Sequence, residues 1–207
     1  MTITYSQIEK LATGMSGFDH ISEGGLPKGR TTLVSGTAGT AKTVFACQFL
    51  AEGIIKYGQA GVFVTFEENV ADIRRNMLGF GWDIAAWEEQ GMWAFVDASR
   101  TAESIAISGD YDLGALISRV KYAISKVKAE RISLDSLGAI FNQFRDVAIL
   151  RSELFRLAVT LKEIGITSII TAERTEEYGS IARHDVEEFV ADNVIILRNV
   201  LEEEKRR

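Results

Sequence analysis

The sequence predicts an α/β domain in which a mainly parallel sheet is covered by helices on both faces. Short apolar segments rich in β-branched residues alternate along the chain with longer segments of helical periodicity. The apolar segments lack a strict polar alternation, as expected of strands that are buried on both faces. Hydrophobic residues make up 46% and charged residues 25% of the 207 residues, which is a globular composition. Strands that alternate with helices imply right-handed crossovers and a parallel sheet.

Each element is placed by its own pattern. We predict strands at 31–35, 61–66, 93–97, 131–135, 166–171 and 194–197, and helices at 42–56, 69–78, 83–90, 113–128 and 147–164. Asn69 is expected to cap the second helix, and Gly58 to end the first. Polar segments at 98–112 and 172–188 are predicted to be loops, and 201–207 is predicted to be a solvated end.

One domain is expected over residues 1–207. Residues 1–30 are dense in glycine, so we predict a lead-in segment that packs on the core through Phe18, Ile21 and Leu26. The first residues lack the basic and apolar blocks of a signal peptide, and no apolar run is long enough to cross a bilayer. A cytoplasmic protein without a membrane partner is therefore expected. The net charge of −6 argues against nucleic acid as a partner.

A glycine-rich loop joins the first predicted strand to the first long helix, which is the context of a phosphate-binding P-loop. Backbone N–H groups of such a loop and of the helix start favour phosphate. Lys42 is expected to meet the β- and γ-phosphates, and the Thr43 hydroxyl to ligate Mg²⁺. The predicted nucleotide-binding residues are Gly36, Thr37, Ala38, Gly39, Thr40, Ala41, Lys42, Thr43 and Val44.

The loop departs from the G-x-x-x-x-G-K-S/T pattern at one position, because Ala41 stands where the second glycine is expected. Alanine is tolerated there if the backbone has a negative φ. A positive φ would cost about 1 kcal/mol. We expect ATP binding to survive the change.

Carboxylates follow two other predicted strands. Asp135 ends an apolar strand, which suits the Mg²⁺ contact of a Walker B element. Glu67 and Glu68 follow the second strand and could supply the base that deprotonates the attacking water. If the sheet brings these strand ends together, we expect the base on the strand next to the P-loop strand. The segment from Thr171 to Arg174 is a further candidate for sensing the γ-phosphate.

Several segments strongly resemble the KaiC family of circadian-clock ATPases, and the resemblance covers nearly the whole chain. These segments are Gly17-Phe-Asp, Gly24-Gly-Leu-Pro, Val62-Phe-Val-Thr-Phe-Glu-Glu, Phe80-Gly-Trp, Ile132-Ser-Leu-Asp-Ser, Arg151-Ser-Glu-Leu-Phe-Arg, Glu176-Glu-Tyr-Gly and Val186-Glu-Glu-Phe-Val. The first of the family's two tandem domains is the nearer match. The resemblance implies a RecA-like core, ATP and Mg²⁺ as ligands of Lys42 and Thr43, Glu67 and Glu68 as catalytic carboxylates, and Phe80 close to the nucleotide.

The resemblance also implies an assembly. Family domains form hexameric rings in which strands of the neighbouring subunit, beyond the point that matches Arg207, complete each ATP site. This chain stops before those strands, so a truncated domain or a fragment of a longer protein is expected. The family's partner KaiB docks on its first domain, and the loop at 98–112 is the counterpart for a KaiB-like protein. The loop at 181–188 has no Ser or Thr, so autokinase activity is not expected.

The function expected first is slow Mg²⁺-dependent ATP hydrolysis that drives conformational change in a timing or signalling assembly. Two alternatives share the same core. One is a RecA-type DNA-handling ATPase, which would need a basic stripe for the strand. The other is a nucleotide-occupied interaction module that binds ATP and a partner without turnover.

Overall fold

The computed structural model describes residues 8–98, 113–141, 147–176, 178, 190–202 and 205–206. Residues 99–112 of the loop predicted at 98–112, and residues 181–188 of the loop predicted at 172–188, lie outside these residues. The KaiB-like docking site and the loop without Ser or Thr, which were predicted there, therefore have no structural description.

The elements follow the predicted alternation of strands and helices. The strands are β1 (Lys10–Leu11), β2 (Leu26–Pro27), β3 (Thr31–Gly36), β4 (Gly61–Thr65), β5 (Trp93–Asp97), β6 (Arg131–Asp135), β7 (Thr167–Glu173), β8 (Asn193–Leu197), β9 (Leu201–Glu202) and β10 (Lys205–Arg206). The helices are α1 (Ser16–Ile21), α2 (Lys42–Tyr57), α3 (Val70–Leu78), α4 (Ile84–Glu89), α5 (Leu113–Val127), α6 (Gly138–Phe141) and α7 (Val147–Ile164).

Six strands form the central sheet in the order β5-β4-β6-β7-β3-β8. Every neighbouring pair in this sheet is parallel. The carboxyl ends of all six strands therefore lie along one edge, which is where open α/β sheets bind ligands. The predicted fold class is confirmed.

Helices pack on both faces of the sheet, because successive strand residues point to opposite sides. Leu33 of β3 belongs to one buried cluster, which it shares with apolar residues of α5 and α7. Val34 belongs to the other, which it shares with apolar residues of α2, α3 and α4. Among the described helices, none is long and apolar enough to cross a membrane.

The structure confirms the predicted end of α2 at Gly58 and the predicted cap of α3 at Asn69. The Asn69 side chain accepts a hydrogen bond of 2.8 Å from the backbone N–H of Ala71. Gly58 ends α2 with a φ of 64°, the left-handed conformation that glycine adopts without steric cost.

The lead-in segment packs on the core as predicted, but one of its anchors is wrong. Leu26 is buried in the β1–β2 pair, and the Phe18 ring meets the Phe45 ring edge-on at 6.0 Å. Ile21 is instead 77% exposed. The short helix α1 rests on the core through Phe18 and ends at Ile21, so that side chain lies beyond the contact.

Two other predictions change in the structure. β7 continues through Ala172 and Glu173, which were predicted to begin a polar loop, because these residues pair with Ser35 and Gly36 of β3. The end predicted to be simply solvated carries the short antiparallel pair β9–β10.

A buried arginine ties three segments together at the amino end of the sheet. Arg131, the first residue of β6, is fully buried and donates hydrogen bonds to the carbonyl oxygens of Ala12 and Phe49 and to the Gln59 side chain. Gly53 makes room for it, since a Cβ there would lie 2.6 Å from the Arg131 Cδ. We call this arrangement around Arg131 the arginine clamp.

Candidate nucleotide-binding site

The predicted P-loop runs from the end of β3 to the start of α2. The Lys42 ammonium lies over the loop, where it donates hydrogen bonds of 2.9 and 2.8 Å to the carbonyl oxygens of Gly36 and Thr37. Burial lowers the pKa of Lys42, and the negative charges of Glu173, Asp135 and Glu67 oppose that shift. The loop therefore holds a half-buried cation that faces several carboxylates.

Ala41 is the N-cap of α2 and has a φ of 66°, so it adopts the left-handed conformation. This is the case in which alanine carries a cost of about 1 kcal/mol relative to glycine. Its methyl group cannot accept a hydrogen bond, and no side chain caps the helix through this residue. An α-helix leaves its first backbone N–H groups without partners inside the helix, and at the start of the 16-residue α2 such groups can bind an anion.

The turn at Gly36 is too tight for a side chain. A Cβ at this position would lie 2.8 Å from the Leu197 carbonyl oxygen and would also overlap the Thr40 hydroxyl. That hydroxyl donates a hydrogen bond of 2.8 Å to the carbonyl oxygen of Thr37. This hydrogen bond within the loop holds its two sides together. Ala38 and Gly39, at the tip of the loop, are exposed.

Asp135 links the P-loop helix to the centre of the sheet. Its Oδ2 accepts a hydrogen bond of 2.7 Å from the Thr43 hydroxyl, and its Oδ1 accepts one from the Thr171 hydroxyl. Asp135 is buried, and these two hydrogen bonds hold its oxygens in fixed directions. The structure brings together Thr43 and Asp135, the two residues that were predicted as metal ligands.

The two glutamates lie just past the end of β4, and both are exposed. Glu67 accepts a hydrogen bond of 3.2 Å from the Ser136 hydroxyl. The Glu68 carbonyl oxygen accepts one of 2.7 Å from the Thr65 hydroxyl, which fixes the backbone of this turn. Although the residue is exposed, its carboxyl group is partly desolvated by the protein around it, and this effect, followed by the charges of Asp135 and other carboxylates, raises the pKa of Glu68. A raised pKa suits a carboxylate that must accept a proton near neutral pH.

The prediction that the glutamates follow the strand next to the P-loop strand is wrong. β6 and β7 lie between β4 and β3 in the sheet. The neighbours of β3 are β7 and β8, because the chain places β4, β5 and β6 on the far side of β7 before β7 pairs with the P-loop strand. Glu67 still approaches the site because β4 pairs with β6, whose last residue is Asp135.

Phe80 lies in the turn between α3 and α4. Its ring stacks on the Trp82 ring at a centroid distance of 5.1 Å, and 56% of the residue is exposed. Its predicted place beside the nucleotide stays a prediction.

The donor set at Thr43 and Asp135 fits Mg²⁺ in chemical type. A hydroxyl and a carboxylate are hard oxygen ligands, and Mg²⁺ in nucleotide sites takes few protein ligands together with phosphate oxygens and water. Within the residues that the structure describes, no group of three or more His, Cys, Asp and Glu residues forms a metal cage.

Three residues of the site were not assigned these contacts from the sequence. The Thr171 hydroxyl donates a hydrogen bond to Asp135, and the Ser136 hydroxyl donates one to Glu67. The negative charge of Glu173 acts to raise the pKa of Lys42. Sequence signals could have identified the first two of these residues. A polar residue at the end of an apolar strand marks Thr171, and the residue after the Walker B aspartate marks Ser136.

The parallel sheet, the P-loop and the carboxylate at the end of β6 define a P-loop NTPase domain of the RecA-like α/β type. The family model described as "ATPase: KaiC" matches residues 11–207. Circadian clock protein KaiC3 of Synechocystis sp. is 63% identical over 201 residues, which cover 97% of this chain and 40% of that protein. Circadian clock oscillator protein KaiC of Parathermosynechococcus lividus is 58% identical over 97% of this chain and 37% of its own length.

A third relative, the KaiC of Prochlorococcus marinus (strain MIT 9313), is 52% identical over 99% of this chain and 41% of its own length. The chain therefore belongs to the KaiC family of ATPases, which confirms the predicted resemblance, including its nearer match to the N-terminal half of KaiC. The chain spans about two fifths of the length of these relatives.

Proposed function

We propose that this chain binds ATP with Mg²⁺ at the carboxyl edge of the sheet and hydrolyses it slowly, within a timing or signalling assembly. The observation that carries the proposal is the 2.7 Å contact between the Thr43 hydroxyl and Asp135 Oδ2. This contact joins the P-loop helix to the Walker B strand, so a cation and a phosphate can be held at the same point.

Each predicted residue has a distinct task in this proposal. Lys42 leaves the carbonyl oxygens of Gly36 and Thr37 to neutralise phosphate charge, and the N–H groups at the start of α2 bind phosphate oxygens. Thr43 and Asp135 would hold Mg²⁺, which would supply positive charge to offset that of the phosphates.

The glutamates act on water. Glu68, whose pKa is raised by partial desolvation of its carboxyl group and by neighbouring carboxylates, accepts the proton of the attacking water. Glu67 is held by the Ser136 hydroxyl and orients that water. We assign no autokinase activity to the chain, because the loop at 181–188 has no Ser or Thr.

Assembly and partners follow from the family at the same level of proposal. We propose a homo-oligomer, with the hexameric ring of the family as its form, and a KaiB-like protein as the partner in a cytoplasmic clock-type assembly. Oligomer formation is measured as particle mass with and without ATP, in the same sample that is assayed for turnover.

The test of hydrolysis is phosphate release by the wild type and by the double variant Glu67→Gln with Glu68→Gln. The matched control is Glu89→Gln with Glu163→Gln, which removes the same charge at two exposed helical positions. We expect the site variant to lose turnover and to keep ATP binding, and the control to match the wild type. Unchanged turnover in the site variant would move the base elsewhere. ATP binding without turnover in the wild type would favour the interaction module.

A further inference from the structure

We infer that Thr171 is a positioning residue for the metal site, acting through Asp135. The inference rests on the proposed function and deepens it. Thr171 is the fifth residue of β7, which runs from Thr167, and it is fully buried. Its hydroxyl donates to Asp135 Oδ1 and lies 3.5 Å from the Leu134 carbonyl oxygen.

The position of Thr171 in the sheet explains why it can take this role. β7 lies between β6, which ends in Asp135, and β3, which leads into the P-loop. Thr171 pairs with Val34 on the P-loop side, and its carbonyl oxygen accepts a hydrogen bond of 3.3 Å from the N–H of Leu137 on the Walker B side. The residue is therefore fixed by its backbone to both strands that build the site.

The consequence is a division of labour between the two carboxylate oxygens of Asp135. A carboxylate can rotate about its Cβ–Cγ bond, and that rotation is broad when nothing restrains it. Because Thr171 occupies Oδ1, the other oxygen, Oδ2, is directed at the Thr43 hydroxyl. Thr171 thereby sets the direction from which Asp135 meets a cation, without itself touching the cation.

A serine or threonine is required for this role, and valine is not a substitute. Valine has the shape of threonine but no donor, so Oδ1 would lose its partner while the packing was kept. Serine keeps the donor and loses only a methyl group. The pair of substitutions separates the hydrogen bond from the volume of the side chain.

The experiment is calorimetric titration of ADP into wild type, Thr171→Val and Thr171→Ser, once with Mg²⁺ and once with EDTA. The ratio of the two affinities isolates the contribution of the metal without relying on turnover. We expect Thr171→Val to lower the Mg²⁺-dependent gain about tenfold, as for a lost hydrogen bond to a charged group. Thr171→Ser should stay within about twofold of the wild type, and affinities in EDTA should be equal in all three.

A second pair of variants tests that Thr171 acts through Asp135. In the Asp135→Ala background, which leaves the Thr171 hydroxyl without a carboxylate or amide acceptor, Thr171→Val should cause no further loss of the Mg²⁺-dependent gain. If Thr171→Val does not fold, as judged by circular dichroism, Thr171→Ala replaces it with the same expected loss.

Three results would overturn the inference: a full Mg²⁺-dependent gain in Thr171→Val, a loss in Thr171→Ser equal to that in Thr171→Val, or additive losses in the double variant. Failure of the proposed function looks different, because the wild type itself would then bind no ADP.

Discussion

The two ends of β6 carry opposite charges in different surroundings. Arg131 at its amino end is fully buried, and its guanidinium is occupied by two carbonyl oxygens and the Gln59 side chain, with the Phe49 ring 4.8 Å away. Asp135 at its carboxyl end faces a half-buried lysine and an edge where Glu67 and Glu68 are exposed.

This difference separates a structural charge from a functional one. The arginine clamp satisfies its donors with groups of the chain itself, and burial lowers the pKa of Arg131 to about 10, which still leaves it charged at neutral pH. At the carboxyl end, Lys42 is held by two backbone carbonyl oxygens that a phosphate can replace. A cation that the fold already surrounds stabilises the fold, whereas one at the rim of an exposed loop can bind a ligand.

Of the substitutions that compare the two ends of β6, Arg131→Met is expected to have the largest effect on the free energy of unfolding. The substitution leaves the carbonyl oxygens of Ala12 and Phe49 without their donor, so the free energy of unfolding should fall by about 3 kcal/mol or more. Urea unfolding measures this. Arg75→Met is the control, because Arg75 is a largely exposed member of an i,i+3 pair and should cost under about 1 kcal/mol.

Nucleotide affinity of the Arg131→Met variant, measured below its unfolding midpoint, should equal that of the wild type. A loss under about 1 kcal/mol would mean that the clamp contributes no more than a surface pair. A loss of nucleotide affinity in the folded variant would erase the distinction between the two ends of the sheet.

The smallest effect on stability is expected from Ala41→Gly, in the P-loop at the carboxyl edge of the sheet. Glycine relieves the left-handed strain, worth about 1 kcal/mol, and loses part of that gain because it makes the unfolded chain more flexible. We expect a net gain of about 0.5 kcal/mol, seen as a rise in Tm of about 1–2 °C. Ala38→Gly, at the exposed tip of the same loop, is the control and should not stabilise the protein. Equal Tm values for Ala41→Gly and the wild type would mean that the loop carries no such strain.

Much of the fold was predictable because its signals are local. The strand before the P-loop, the helix after it, the Asn69 cap and the left-handed Gly58 all follow from patterns within a few residues. Asp135 could be identified in the same way, from an apolar strand that ends in a carboxylate.

What the sequence did not reveal depends on pairing between distant segments. The order of the strands places β6 and β7 between Glu67 and the P-loop strand, and no local pattern states that order. The arginine clamp joins Ala12, Phe49 and Gln59 to Arg131 from separate segments of the chain. Thr171 was a candidate for sensing the γ-phosphate, and its contact with Asp135 became visible only because the sheet sets its hydroxyl beside that carboxylate. These contacts are properties of the tertiary structure, so they became visible only in the fold.

The central claim is that the carboxyl edge of the sheet binds ATP through Lys42, and calorimetric titration of ATP with Mg²⁺ tests it most directly. The titration compares the wild type with Lys42→Met and with Lys121→Met, which removes an exposed charge from α5. We expect wild-type binding at submillimolar ATP, a loss of about 10- to 100-fold in Lys42→Met, and no change in Lys121→Met. No binding by the wild type at millimolar ATP, or equal affinity in Lys42→Met, would contradict the claim.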